Sequence, residues 1–427
     1  KDICGTARGA GVKDSVTMWH FTADAWRKNM SKLSFAGVNR SGLAKMTCVV
    51  ALASCFAVLS LSAHAWGRNP IVQNQAQRDQ INSIFTAVAS YGDPGVAVLV
   101  RSNGRTIFEK GYGVRDLRTQ TKIDETTNFR LASVTKQFTA MCVMMLVHDG
   151  KLRYDDHLTD VFPDFPAYGK SISIRNLLNH TSGLLDYEDL LEKQYPNTPP
   201  EKIPQIKDAE ILELMKRQST TKFPPGTEWE YSNTGFALLA MVVEKKSGEP
   251  FGQFLREHVF ALLKMDNTIA FENGKNEVRN RAFGHTKSGG KWEEKDQSPT
   301  SAVLGDGGIY SSLNDLAKWD DALEHHTLLS EKDMRPAVTP AVIHTRTGDE
   351  AIKDRTGNSI HYGFGWFLDS YKGHNRMYHD GDTVSFRTTI QRLTNDHLTV
   401  IVLCNRDDLN PQALAENVAD VVLSLPN

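Results

Sequence analysis

Three short polar clusters carry residue types that can do chemistry: Ser133-Val-Thr-Lys136, Tyr231-Ser-Asn233 and His379-Asp-Gly381, in that order. A serine hydroxyl is a poor nucleophile at neutral pH, so it needs a nearby base and a site that stabilises developing negative charge. A lysine three residues along a helix lies on the same face and can serve as that base if burial lowers its pKa. Read together, the clusters describe a serine acyl-transfer site in which a lysine, not a histidine, activates the nucleophile.

Each cluster has a double in the same chain: Ser288-Gly-Gly-Lys291, Tyr195-Pro-Asn197 and His148-Asp-Gly150. About two Ser-x-x-Lys matches are expected by chance in a chain of this length, so context has to choose. Ser133 stands where Phe129-Arg-Leu-Ala meets the long apolar stretch from Val134 to Val147, at the start of a helix buried on nearly all sides. A serine there is often only a cap. A lysine in an otherwise apolar helix, however, is costly unless partnered, and a helix amino terminus favours an oxyanion. Ser288 lies in a Gly-rich polar loop without those supports.

Tyr231-Ser-Asn233 follows Phe223-Pro-Pro-Gly-Thr and precedes a helical pattern from Thr234, which places it on a tight loop at a helix entrance. Its bland reading is an Asn cap beside a packed tyrosine. Its chemical reading makes Tyr231 a proton carrier and Asn233 a donor to substrate or to Lys136. His379-Asp-Gly381 closes an extended segment, where a glycine lets a substrate backbone approach. Taken alone, a structural histidine is the plainer account of His379. The chain has no Gly-x-Ser-x-Gly elbow, His-Glu-x-x-His, Cys-x-x-Cys or phosphate loop, so neither a metal nor a nucleotide cofactor is called for.

The elements that must position these clusters come from both ends of the chain. Asn74 to Ser90 has helical spacing, and Gly95 to Arg101 and Thr106 to Lys110 form a hairpin across Asn103-Gly104. Near the other end, Phe364 to Leu368, Ser385 to Leu393 and His397 to Cys404 read as strands, followed by a helix capped by Asn410 with Pro411 at its first position. Helical signals dominate between them: Val134 to Asp149, Ile172 to Leu178, Ala209 to Arg217, Thr234 to Ser247 and Leu313 to Glu324. Tyr195 to Pro204 and Glu272 to Ser301 read as loops. The expected fold class is α+β, an antiparallel sheet built from both chain ends (about 71–133 and 355–427) with a mainly helical insertion (about 134–354).

Residues 46 to 65 form a nearly uncharged run behind Lys32, Arg40 and Lys45 and end in Ala63-His64-Ala65, a small-x-small cleavage pattern. This reads as a secretory signal peptide with the mature protein, 66–427, beginning at Trp66 and destined for the periplasm or the outside. A retained membrane anchor and a lipobox at Leu52-Ala-Ser-Cys55 are the alternatives, and Met30 is an alternative start. The first 65 residues hold eight of the 49 Lys/Arg and three of the 51 Asp/Glu, leaving 41 basic and 48 acidic residues, a net of −7. No nucleic-acid-binding face is expected from that balance. Cys142 and Cys404, in apolar runs, are expected as buried thiols rather than a disulfide.

The order Ser-x-x-Lys, Tyr-x-Asn, His-x-Gly resembles the beta-lactamase-related serine hydrolases: class C beta-lactamases, D-alanyl-D-alanine carboxypeptidases, D-aminopeptidases and lactamase-like esterases. The resemblance spans roughly residues 71 to 424 and includes Gly111 to Asp116, Phe129 to Thr139, Leu177-Leu-Asn-His-Thr-Ser-Gly-Leu184, Phe223 to Thr227, Gly307-Gly308-Ile-Tyr and Tyr362-Gly-Phe-Gly-Trp366. It implies a beta-lactamase/transpeptidase-like fold, with Ser133 as nucleophile, Lys136 as its activating partner, Tyr231 as proton shuttle and Asn233 holding the substrate amide. It also implies an oxyanion hole from the backbone amides of Ser133 and Asp382, with His379, Gly381 and Asp382 on the substrate-binding strand. His379 stands where class C beta-lactamases usually carry lysine, and Ser385 where relatives often carry glycine. The first of these departures tilts the expectation toward peptidase-like or esterase-like members. Asp382, if it points inward, should disfavour a substrate carboxylate. The implied substrates are D-amino-acid peptides, beta-lactams or small esters, small molecules or peptidoglycan fragments. A catalytically silent peptidoglycan-binding protein on the same scaffold is the competing reading.

Overall fold

The two chain ends meet in one sheet because their strands are apolar on both faces. In the computed structural model, residues 70–424 are described except 346, 347 and 355. The expected signal segment therefore lies outside the described residues. Helix α1 (Pro70–Thr86) leads into β1 (Val96–Ser102) and β2 (Arg105–Tyr112), and the central helix α2 (Lys136–His148) follows. Further along come α3 (Asp208–Lys216) and α4 (Asn233–Ser247). The end of the chain supplies β3 (Phe367–Tyr371), β4 (His374–Thr383), β5 (Phe386–Leu393), β6 (Leu398–Cys404) and α5 (Pro411–Leu423).

These strands form a six-stranded antiparallel sheet in the order β3-β4-β5-β6-β1-β2. The seam between the two ends is β1 against β6, from Val96 opposite Cys404 to Ser102 opposite Leu398. Side chains alternate across a strand, so one parity of each seam strand faces each layer. Val96, Val98, Val100, Val400 and Val402 pack beneath α1 and α5 with Ile81, Phe85, Leu414 and Val418. Ala97, Leu99, Ile401 and Leu403 face the larger helical layer, where Phe138, Val143 and Leu146 of α2 lie fully buried beside Phe236, Leu239 and Trp319. The apolar runs of β1 and β6 are thus the signature of a doubly covered sheet.

The α+β expectation holds, with the sheet drawn from both chain ends. Two local expectations do not. Within the stretch read as a loop from Glu272 to Ser301, His285–Ser288 and Lys291–Glu294 form a hairpin across Gly289-Gly290. Its strands are polar and mostly exposed, so they lack the alternation that marks a half-buried strand. The strand placed at Phe364 to Leu368 starts later, at Phe367, because Gly365 turns the chain at φ +77°. A Cβ on Gly365 would lie 2.8 Å from the Lys136 carbonyl oxygen, so this turn packs directly on the start of α2. Cys142 and Cys404 are buried, unpaired thiols, as expected.

Candidate active site

Ser133 lies on a short 3-10 turn, Ala132–Thr135, that runs straight into α2. Ala132 just before it has φ +49°, a left-handed conformation costly for a residue with a Cβ. The surroundings hold the turn in that shape. The Leu131 amide donates to the Ile309 carbonyl at 2.8 Å, Thr388 Oγ1 of β5 donates to the Leu131 carbonyl at 2.7 Å, and the Ile309 amide donates to Thr135 Oγ1 at 3.3 Å.

Lys136 opens α2 and is completely buried. Its Nζ lies 3.0 Å from Ser133 Oγ, 2.8 Å from Asn233 Oδ1 and 3.0 Å from the Asp306 carbonyl oxygen. Burial lowers its pKa to about 8, against the opposing pull of Asp306, Glu188 and Asp186. At pH 7 roughly a tenth of it is therefore free base. A neutral amine has two N–H donors and one lone pair. The two carbonyl-type oxygens take the donors and leave the lone pair for the Ser133 hydroxyl. Such an arrangement can take the serine proton as Oγ attacks a carbonyl carbon.

Tyr231 is placed where it can act as the complementary acid. Its ring lies 4.9 Å from Lys136 Nζ, and its buried hydroxyl makes no hydrogen bond of good geometry among the described residues. Burial raises its pKa well above the ordinary tyrosine range, with Ser133 the hydrogen-bonding neighbour that opposes the rise. A phenol held protonated beside the Ser133 hydroxyl can give its proton to a leaving group. Ser232 caps α4, its Oγ accepting from the Gly235 amide at 3.1 Å, so Asn233 is free of the capping role that its position suggested. Asn233 Oδ1 faces Lys136, and its Nδ2 lies 3.4 Å from Glu188 Oε1.

Residues 81–423 match the family model described as Beta-lactamase. The chain belongs to the beta-lactamase family. Penicillin-binding protein 4* of Bacillus subtilis is 27% identical over 346 residues, covering 78% of this chain and 73% of that protein. The D-aminopeptidase of Brucella anthropi is 27% identical over 324 residues, covering 74% of this chain and 57% of that protein. Among solved structures, a penicillin binding protein from Bacillus halodurans superposes with TM-score 0.65 at 25% identity, covering 81% of this chain and 99% of that one. As a member of the beta-lactamase family, the chain is a serine hydrolase.

The third cluster takes a different place from the one read in the sequence. His379 is buried with both ring nitrogens occupied: Nδ1 is 2.7 Å from the Asp380 carbonyl oxygen and Nε2 is 3.1 Å from Tyr362 Oη. Burial, reinforced by the Lys136 charge, lowers its pKa to about 3. The neutral ring therefore donates from Nδ1 and accepts the Tyr362 hydroxyl at Nε2, with no nitrogen left for a substrate. Gly381 leaves room for the Ser133 turn rather than for a substrate backbone: a Cβ there would lie 2.2 Å from the Leu131 carbonyl oxygen and 3.2 Å from Ala132 Cβ. Asp382 does not point inward. Its side chain is 75% exposed and pairs with Arg387 at 2.8 Å, which offsets its charge. Ser385, buried at φ +57°, meets Thr286 Oγ1 at 2.8 Å.

Four site residues were not singled out in the sequence. His180 is buried and neutral, its Nδ1 accepts the Ser232 amide at 3.1 Å, and its ring packs against Tyr231 at a 40° tilt with centroids 4.5 Å apart. It thus holds the Tyr231 loop from below, and only its place in the Leu177 to Leu184 segment hinted at a role. Asp186, Glu188 and Asp306 make the Lys136 side of the site acidic. Loss of hydration, reinforced by the neighbouring carboxyls, raises all three, the surface-exposed Glu188 to about 7 and the buried Asp306 to about 6, and Tyr187 Oη donates to Asp306 Oδ2 at 2.8 Å. The doubles stand apart. Ser288 and Lys291 are exposed on the polar hairpin, and His148 pairs with Asp333 at the surface at 3.1 Å.

Proposed function

We propose that this protein is an exported serine hydrolase that forms an acyl-enzyme through Ser133 on small D-aminoacyl amides or peptides whose acyl part carries a free amino group. The observation that carries the substrate class is Glu188, whose carboxyl reaches Asn233 Nδ2 at 3.4 Å beside Asp186 and Asp306. Asn233 is the residue expected to hold the substrate amide, so a substrate there meets a carboxyl first. An α-ammonium is attracted to that wall, whereas a terminal carboxylate is repelled. The D-aminopeptidase relative supports the same reading.

The geometry supports the following steps. Neutral Lys136 takes the Ser133 proton as Oγ attacks, and the buried, protonated Tyr231 gives its proton to the departing amine. Lys136 then reprotonates Tyr231, and water attacks the acyl-enzyme by the reverse order of transfers.

A hydrolysis panel of a D-amino-acid p-nitroanilide, its N-acetyl derivative, a D-Ala-D-Ala peptide, nitrocefin and p-nitrophenyl butyrate tests the reading. The free-amine anilide should exceed its N-acetyl form by about fivefold in kcat/KM, from one ion pair with the exposed Glu188 carboxyl worth about 1 kcal/mol. Glu188→Gln should erase most of that preference while leaving p-nitrophenyl butyrate turnover within about threefold. Preference for the N-acetyl anilide or for nitrocefin overturns the substrate class. Export rests on residues 46 to 65, and the protein recovered from outside the cytoplasm should begin at Trp66.

A further inference from the structure

A buried carboxyl group grips the turn whose Asp306 carbonyl is one of the two oxygens that orient Lys136. The Asp306 carbonyl belongs to a four-residue helical turn, Leu304–Gly307. That turn is wedged between α2, α4 and the nucleophile turn: Thr139 Oγ1 donates to the Gly305 carbonyl at 2.7 Å, a Cβ on Gly305 would lie 2.4 Å from the Phe236 carbonyl oxygen, and one on Gly307 would lie 3.6 Å from Ala132 Cα. On its outer side stands Asp208, the first residue of α3 and itself buried. Its Oδ2 accepts the Leu304 amide at 2.8 Å and its Oδ1 accepts the Gly305 amide at 3.0 Å.

From this geometry we infer that Asp208 is a positioning residue for the Lys136 base, fixing the Leu304–Gly307 turn so that the Asp306 carbonyl holds one N–H of Lys136 and its lone pair stays on Ser133. The two-point grip resists rotation of the turn, which one hydrogen bond would allow. A neutral amine with one of its two acceptors displaced can turn its lone pair away from the hydroxyl, and misplacement on the order of 1 Å costs about a hundredfold in rate. Asp208 acts through the backbone: the carboxyls that act on the Lys136 charge are Asp306, Glu188 and Asp186. The inference rests on Ser133 and Lys136 as the reacting pair, and it is tested separately from that assignment.

The experiment uses the whole protein with a fluorophosphonate probe and p-nitrophenyl butyrate. Labelling of wild-type protein at Ser133 establishes the reacting pair, and labelling elsewhere overturns both that pair and this inference. Asp208→Asn keeps one good acceptor and removes the other, while Asp208→Glu keeps both oxygens but carries them one methylene further. With rates corrected for the folded fraction by circular dichroism, both variants should acylate Ser133 about tenfold or more slowly, with the loss in kcat and KM within about twofold. The acid limb of the acylation rate should also move to lower pH, because a receding carbonyl stabilises the ammonium form of Lys136 less. Folded variants with the wild-type rate and acid limb, or with the loss wholly in KM, overturn the assignment. So does failure of both variants to fold, which makes Asp208 a folding residue only.

Discussion

Lys136→Met is expected to lower the acylation rate of Ser133 by roughly a hundred- to ten-thousandfold, the range that a positioned general base contributes. The substitution keeps the length and apolar stem of the side chain and removes only the amine that lies 3.0 Å from Ser133 Oγ. It leaves two acceptors, Asn233 Oδ1 and the Asp306 carbonyl, without that donor, at a cost of about 1–3 kcal/mol. Against this stands the burial penalty that pulls the lysine pKa from 10.5 to about 8, which the variant no longer bears. The two effects are of similar size and opposite sign, so the thermal midpoint should stay within a few degrees of wild type while activity collapses. Stopped-flow acylation together with thermal melting separates the two quantities. A variant that stays folded and still acylates at the wild-type rate would place the base elsewhere.

The same pKa fixes the pH dependence. The active form of the base is the neutral one, so the acylation rate should climb through pH 8 and level off above it. Tyr231, held protonated beyond its ordinary range, should give no falling limb in the same interval. The residual rate of Lys136→Met should lose the rise centred near pH 8. A profile that instead rises through pH 6 to 7 and survives the substitution would assign the titration to a carboxyl such as Asp306 or Glu188, both raised into that range.

How much of this site can be read from the chain depends on whether a contact is local. Ser133 and Lys136 are three residues apart at a helix start, so helical geometry alone brings them together. The seam of β1 and β6 was legible because strands covered on both faces carry continuous apolar runs, Val96 to Val100 and Val400 to Cys404. Asp208, Glu188 and Asp306 were not legible, since a single carboxyl looks the same whether it ends in water or in a core. Their roles come from partners far away in the chain, such as Leu304 for Asp208 and Tyr187 for Asp306. His379 misled for the same reason. Its position in the third cluster is visible, but the Tyr362 hydroxyl that occupies its Nε2 is not.

Gly381→Ala is expected to cost both stability and activity, and the pairing of the two losses identifies what the glycine is for. Were Gly381 there to let a substrate backbone approach, an added methyl would raise KM for peptides, spare small esters and leave the fold untouched. The geometry points to the opposite pattern. The new Cβ would sit 2.2 Å from the Leu131 carbonyl oxygen and 2.2 Å from Thr388 Oγ1, the two atoms of the hydrogen bond that ties β5 to the nucleophile turn. Neither can yield freely, because Leu131 is backbone bonded to Ile309 and Thr388 belongs to a central strand. Relieving the overlap takes a shift on the order of 1 Å between β4 and the turn, with an overpacking cost of about 1–3 kcal/mol. A shift of that size at Ser133 carries a rate loss of roughly a hundredfold. Acylation by p-nitrophenyl butyrate, too small to reach along the strand, should therefore fall as far as acylation by a peptide, together with a lower thermal midpoint. Asp382→Asn is the matching control. Its side chain is exposed one residue further along the same strand, so it should leave acylation of the neutral ester and the melting temperature close to wild type.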